Sequence, residues 1–359
     1  MDNITQERLN QLRGAAGAKR HNARTVAALT GNPGCVRRAV LDAAGVDKDK
    51  LARRVGFPAK FGQSQFAITR GNSFEAQVKA NAFAELITLL RDTLGLQIGE
   101  VGQTDLEQVG GNTSQEIRHT RSRQKLTGAM TNGESTFFDH PLLTLDVGGN
   151  TVYLEPDLVA FHHEGVFHVV EIKSFAVIDD QADGAKVAAA AIQSAVYVLA
   201  LRRLLGDDKV SHEVVLVCPK DFSNKPVATK IDVRKQLIVL EHQLTRLARI
   251  ETLVDALPPG LSLDLDNSAD DLFKALSEIE ARYAPDCIAK CEMAFFCRNE
   301  ARGCTAALGI SVREELGGVE TVAEALGLAD GTLVASDDQA EAASMLRATA
   351  DIYASAAAA

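Results

Sequence analysis

Apolar and polar residues alternate most clearly in Val166-Phe167-His168-Val169-Val170-Glu171-Ile172-Lys173. On a strand, Val170 and Ile172 point to one face and Glu171 and Lys173 to the other. The run Tyr153-Leu154-Glu155-Pro156-Asp157-Leu158-Val159-Ala160-Phe161 reads as a second strand, joined to the first through Glu164-Gly165. Leu142 to Val147 enters that pair through a hairpin turn at Gly148-Gly149-Asn150, and Val214 to Cys218 adds a short apolar strand. Helical spacing appears in Phe74, Val78, Phe83, Leu86, Ile87 and Leu90, with Asn72 or Ser73 as the expected cap. Further helices are expected at about Ala185 to Leu205, Val233 to Leu257 and Ala269 to Tyr283. The polar, helical first thirty residues end at Gly31-Asn32-Pro33-Gly34, after which Cys35 opens a short helix, Val36 to Ala44. Residues 99–136 look polar and irregular, suited to facing DNA, and the alanine-rich stretch beyond Leu308 reads as one or two helices. Strands interleaved with helices predict an α/β fold, a mixed central sheet flanked by helices.

Composition narrows this only a little. The 359 residues are 46% hydrophobic and 24% charged, the make-up of a globular protein with ample length for a core. The N-terminal segment is polar and mixed in charge, unlike a secretory signal, and no run approaches the ~18 apolar residues of a membrane span. A cytoplasmic location without membrane attachment is the expectation. A net charge of -10 excludes a generally basic nucleic-acid coat but leaves local clusters. The candidates are Arg118, His119, Arg121, Arg123 and Lys125, with the pairs Arg37-Arg38, Arg53-Arg54 and Arg202-Arg203. Each reads equally as a solvated face.

The chemistry gathers on the two central strands. A carboxylate and an ammonium two residues apart on one strand face call for a bound partner. If the strands pair, Asp157 sits next to Glu171, giving two acidic metal ligands and Lys173 at one point. Glu75 stands on the preceding helix, while Gln193 and Tyr197, four apart, share one face of the following helix. Glu155 shares the face of Asp157 and is an extra ligand or a decoy. His162, His163 and His168 are read as non-ligands, since the adjacent pair points to opposite faces.

Pro156-Asp157 followed by Glu171-Ile172-Lys173, with Glu75 before and Gln193-x-x-x-Tyr197 after, resembles the PD-(D/E)XK nucleases, specifically their RecB-like branch. The resemblance implies a restriction-endonuclease-like sheet. It implies Mg²⁺ or Mn²⁺ held by Glu75, Asp157, Glu171 and the Ile172 carbonyl. Lys173 would orient the attacking water, and Gln193 and Tyr197 would hold the site or the DNA backbone. The implied activity is a DNA exonuclease preferring single-stranded ends. The alternatives are a non-catalytic module binding DNA or protein, or an endonuclease with structural zinc.

Four of six cysteines cluster as Cys287-x₃-Cys291-x₅-Cys297-x₆-Cys304; Cys35 lies near the start and Cys218 in an apolar strand. In a cytosolic protein this density reads as metal or cluster binding. One cysteine before the core and three after it resemble the iron–sulfur staple of AddB-type nucleases and of the CRISPR-associated RecB-like exonucleases. That resemblance implies a 4Fe-4S cluster on Cys35, Cys287, Cys291 and Cys297, tying N- and C-terminal helical parts together. The Cys287–Cys291 interval is one residue longer than the family's, so Cys304 can replace Cys287, and four thiolates also suit zinc. A partner protein in a defence or recombination complex is compatible. The expected division is an N-terminal extension at 1–34, a nuclease domain with the cysteine cluster at 35–304, and a tail at 305–359.

Overall fold

A mixed sheet of six strands forms the centre of the larger of two units in the computed structural model. The structure describes residues 3–357 apart from 20, 30–31, 33, 60–64, 96–100, 107–113, 148–149, 156–158, 164, 222 and 248–249. Unit 1 comprises residues 1–5, 19–30 and 61–252, and unit 2 comprises 6–18, 31–60 and 253–359.

In unit 1 the strands are β1 (Gly102–Asp105), β2 (Thr136–Asp139), β5 (Val159–His163), β6 (Val166–Ile172), β7 (Glu213–Lys220) and β8 (Lys225–Asp232), in spatial order β1-β2-β5-β6-β7-β8. The β1–β2 and β6–β7 pairs are parallel and the others antiparallel. A separate hairpin joins β3 (Leu143–Val147) to β4 (Asn150–Leu154). Around these lie α2 (Ala23–Leu29), α5 (Gln65–Leu94), α6 (Gln115–Asn132), α7 (Gly184–Leu205) and α8 (Arg234–Leu247).

The central parallel pair β6–β7 is buried on both faces, as parallel pairing in an α/β protein requires. On one side Phe74, Val78, Phe83, Leu86 and Leu90 of α5 form a core with Phe137, Val170, Ile172, Val215 and Val217. On the other, Ala190 of α7 packs with Leu216 and Cys218. The apolar stripe expected on α5 is therefore present. Its start is different: the helix begins at Gln65, so Asn72 and Ser73 lie inside it and cap nothing. It also breaks at Ala80, after which Asn81, Ala82 and Phe83 take left-handed backbone angles. Left-handed backbone is costly for residues with a Cβ, but the last residue of the break, Phe83, stacks on Phe137 with ring centroids 5.1 Å apart.

Two other expectations change. The described part of residues 99–136 is not irregular, because β1 and α6 form there. The run from Tyr153 to Phe161 is not one strand: β4 ends at Leu154 in the hairpin, and β5 begins at Val159 in the main sheet. The Gly148-Gly149 turn, Pro156, Asp157 and Glu164 lie outside the described residues, as do Gly31 and Pro33. The β5–β6 antiparallel pair is as expected, with Val159 opposite Val170 and His163 opposite Val166. Contrary to the expected lack of long apolar runs, α7 is long and apolar enough to cross a membrane, but 56% of its most apolar window is buried inside the protein.

Unit 2 is helical. It contains α3 (Val36–Ala43), α4 (Lys48–Arg54), α10 (Ala269–Ser277), α11 (Cys287–Lys290), α12 (Ala294–Glu300), α13 (Ile310–Glu315), α14 (Val322–Asp330) and α15 (Ala340–Ala357). Most of α1 (Asn3–Arg13) belongs to it, and α9 (Ile250–Asp255) carries the chain into it. Phe57 and Phe273 pack with the buried Phe296 in an aromatic cluster, with centroid distances of 5.0 to 6.4 Å. A smaller core of Val319, Leu328, Ala342 and Ala343 holds α14 and α15 together.

Candidate active site and thiol centre

The alternation of β6 places Glu171 on the α7 side of the sheet, since its register partner Leu216 packs against Ala190. Glu171 is only 3% exposed. A carboxylate so placed needs a charged or hydrogen-bonding partner. Lys173, one residue beyond the strand, supplies it, with Nζ 2.5 Å from Glu171 Oε1. The ammonium also donates to Gln193 Oε1 at 3.0 Å, and Gln193 Nε2 donates to the Tyr197 hydroxyl at 3.1 Å. The fourfold spacing on α7 thus extends the ion pair into one line, Glu171–Lys173–Gln193–Tyr197. Tyr197 is buried and fixes the far end. The backbone N–H of Lys173 donates to Val217 O at 2.9 Å, which holds the segment to β7. Ile172 turns its side chain the other way, into the core beneath α5.

Glu75 belongs to a different group, on the α5 side. Lys79, one helical turn on, bonds to Glu75 and to Asp139 Oδ1 at 2.6 Å, and its Nζ lies 3.3 Å from His140 Nε2. Burial pulls the Lys79 ammonium down, but Asp139 and Glu75 outweigh it and hold its pKa above the ordinary value. The link between this group and the end of β6 is Gly71, one turn before Glu75, where a Cβ would stand 3.8 Å from Ser174 Oγ. The structure therefore brings Glu171, Lys173, Gln193 and Tyr197 together, ties Glu75 to Lys79, Asp139 and His140, and does not describe Asp157. Lys79 was legible as the i,i+4 partner of Glu75; nothing in the sequence singles out Asp139 or His140.

Several of the other candidates have partners. Glu155 pairs with Arg118 at 2.5 Å, and His119 Nδ1 meets Leu142 O at 3.0 Å. Arg123 and Lys125 remain exposed on α6. Arg54 donates to Asn267 O at 2.7 Å, and Arg202 to Val210 O at 3.2 Å. Arg37 and Arg38 are not a phosphate-binding surface: both are buried beside the cysteines.

In unit 2, Cys35 stands at the N-cap of α3, Cys287 opens α11, Cys291 follows it and Cys297 lies in α12. Arg37 Nη1 donates to Cys297 Sγ at 3.2 Å, pairs with Glu300 and lies over the Phe296 ring, while Asn32 Nδ2 donates to Cys287 Sγ at 3.1 Å. Arg38 and Lys48 share Asp42, and Lys48 Nζ is 3.7 Å from Glu292. Burial pushes the Cys291 thiol up to about 11 and Cys297 to about 12, against the pull of the neighbouring cations. Cys291 and Cys35 both act electrostatically on Cys297, so three of the thiols share one neighbourhood, and Cys287 and Cys297 both act on Tyr283. Thiol ligands with N–H groups aimed at sulfur fit an iron–sulfur cluster or zinc in donor chemistry. As the side chains stand, however, no three His, Cys, Asp or Glu among the described residues are grouped to hold a metal ion. The Cys304 backbone bridges to Thr321. Cys218 is buried in β7, with its pKa raised to about 12, chiefly by burial.

No protein-family model matches the chain, and no curated protein matches it. Among solved structures, one titled "Crystal structure of SSO0001" aligns with 68% of this chain and 84% of its own at 12% identity. Its TM-score of 0.24 carries no argument for fold or function.

Proposed function

We propose that the chain is a divalent-metal-dependent deoxyribonuclease of the RecB-like branch, with a restriction-endonuclease-like fold in unit 1. In this reading it acts as an exonuclease on single-stranded DNA ends and works in the cytoplasm. The observation that carries the reading is the line Glu171–Lys173–Gln193–Tyr197 at the end of a central strand. A buried carboxylate next to an oriented ammonium suits phosphodiester hydrolysis, in which positioning and charge neutralisation supply most of the catalysis.

Glu171, with Asp157 and the Ile172 carbonyl, would hold Mg²⁺ or Mn²⁺, which would supply hydroxide near neutral pH and neutralise phosphate charge; Glu75 would have to leave its ion pair with Lys79 on the α5 side to join them. Lys173 holds the attacking water in line and donates a hydrogen bond to the phosphoryl oxygen as charge grows there. Gln193 fixes the ammonium through its side-chain oxygen, and Tyr197 fixes Gln193. In unit 2, Cys35, Cys287, Cys291 and Cys297 would hold a 4Fe-4S cluster with a structural role. Zinc is the rival occupant, and iron, sulfide and zinc analysis of anaerobically purified protein separates the two.

One observation favours a second reading, a nuclease-like module that binds without cutting: Glu75 is engaged by Lys79 and not by the Glu171 line. The test is incubation of end-labelled linear and circular single-stranded DNA with Mn²⁺, and again with EDTA. Progressive shortening of the linear strand alone, abolished by EDTA, is the expected result. Cutting of the circle identifies an endonuclease, and binding without cutting identifies the module.

A further inference from the structure

Residues 305–359 carry nine acidic and two basic residues, hence seven of the ten net negative charges of the whole chain. They are folded, because α14 and α15 close over their own small core and Thr321 caps α14 by accepting from the Glu324 N–H. Yet this hairpin leaves large apolar side chains in solvent. Val334, between the helices, is 96% exposed; Leu326 on α14 and Met345, Ile352 and Tyr353 on α15 are also exposed. Every residue from Asp351 to Ala357 is exposed, so α15 runs past anything that packs on it. Glu341, Met345, Ala348 and Ile352 follow one another at helical spacing, which puts apolar anchors beside acid on one stripe. Asp330, Asp337 and Asp338 surround Leu333 and Val334 in sequence and are themselves exposed.

We propose that this acidic hairpin is the docking surface for a basic, amphipathic segment of a partner protein. Like charge disfavours nucleic acid and anionic membrane surfaces there. An acidic surface steers a cationic partner, and exposed apolar side chains provide the anchors that fix it. A helix with apolar residues on one face and lysine or arginine on the other matches both properties. The inference is independent of the nuclease reading, because it rests on residues beyond both candidate sites.

The experiment uses the full chain and a fluorescein-labelled synthetic helix with leucine on one face and lysine on the other. A second peptide of the same composition has its leucines scattered. The amphipathic peptide should bind at least about tenfold tighter than the scattered one. The triple variant Val334→Ser/Ile352→Ser/Tyr353→Ser should lose that advantage while keeping its circular-dichroism spectrum. The variant Asp337→Asn/Asp338→Asn/Glu341→Gln should bind more weakly and with a shallower salt dependence. Equal binding of the two peptides, or unchanged binding by the apolar variant, would overturn the proposal. So would sedimentation showing that these side chains pair two copies of the chain, or capture of the protein by phosphatidylserine vesicles.

Discussion

The two units treat buried charge in opposite ways. At the end of β6 a single carboxylate, Glu171, meets a single ammonium, and that ammonium is part-exposed and passes its hydrogen bonds along Gln193 to Tyr197. In the thiol centre three buried cations, Arg37, Arg38 and Lys48, are closed off by Asp42, Glu292 and Glu300 and by sulfur. An ion pair at a strand end, aligned by a neutral amide and a phenol, leaves a charged group available to a substrate. A closed set of pairs leaves none, and its effect falls on stability. The first arrangement suits chemistry and the second suits holding helices together.

That contrast can be broken most severely at Asp42. Asp42→Ala leaves Arg38 and Lys48 buried without their shared carboxylate, and should cost about 3–5 kcal/mol, read as a lower urea midpoint. A cost below about 1 kcal/mol would mean that the two cations find other partners or water. His168, in unit 1, tests the sheet through pH. Burial first, and then His163, lowers its pKa to about 4, with Glu213 pulling weakly the other way. Unfolded histidine takes up a proton near 6.5, so between about pH 4 and 6.5 the unfolded chain binds more protons. Stability should therefore fall as pH drops through that window, by at most about 3 kcal/mol from this group, and be insensitive to it above. His168→Gln should flatten the slope, and an unchanged slope would assign it to other groups.

Gln193→Leu sharpens the difference between the units. It should lower turnover about 10–100-fold while shifting the melting temperature little, because it disturbs the alignment of Lys173 and no buried charge. A large loss of stability with normal turnover would make the line a structural feature like the thiol centre. Tyr197→Phe removes the hydrogen bond that the hydroxyl accepts from Gln193, and should cost about 1 kcal/mol of stability with a smaller effect on turnover than Gln193→Leu.

How far the sequence reveals these sites depends on how each residue is held. The Glu171–Lys173 alternation and the Gln193–Tyr197 spacing are local, so period 2 and period 3.6 place them on the correct faces. The stripe of α5 is equally local. Its break at Ala80–Phe83 contains neither glycine nor proline, so the usual punctuation is missing. The helix α6 hides because its buried side is Ser122, Leu126 and Ala129, a stripe too small and polar to register. Arg37 and Arg38 look like surface charge until Glu300, Asp42 and the cysteines, brought from far along the chain, enclose them. The approach of His140 to Glu75, and of Asp139 to Lys79, likewise depends on the chain returning to α5 through β2.

Whether the Glu171–Lys173 pair cuts DNA is decided by Mn²⁺-dependent degradation of a 5′-labelled single strand by the wild-type chain and by Glu171→Gln and Lys173→Ala, side by side. Cleavage by the wild type and at least about a 10³-fold loss in both variants are expected, with melting temperatures showing both still folded. Cleavage retained by the folded Lys173→Ala protein, or no cleavage by the wild type in Mn²⁺, would contradict that role for the pair.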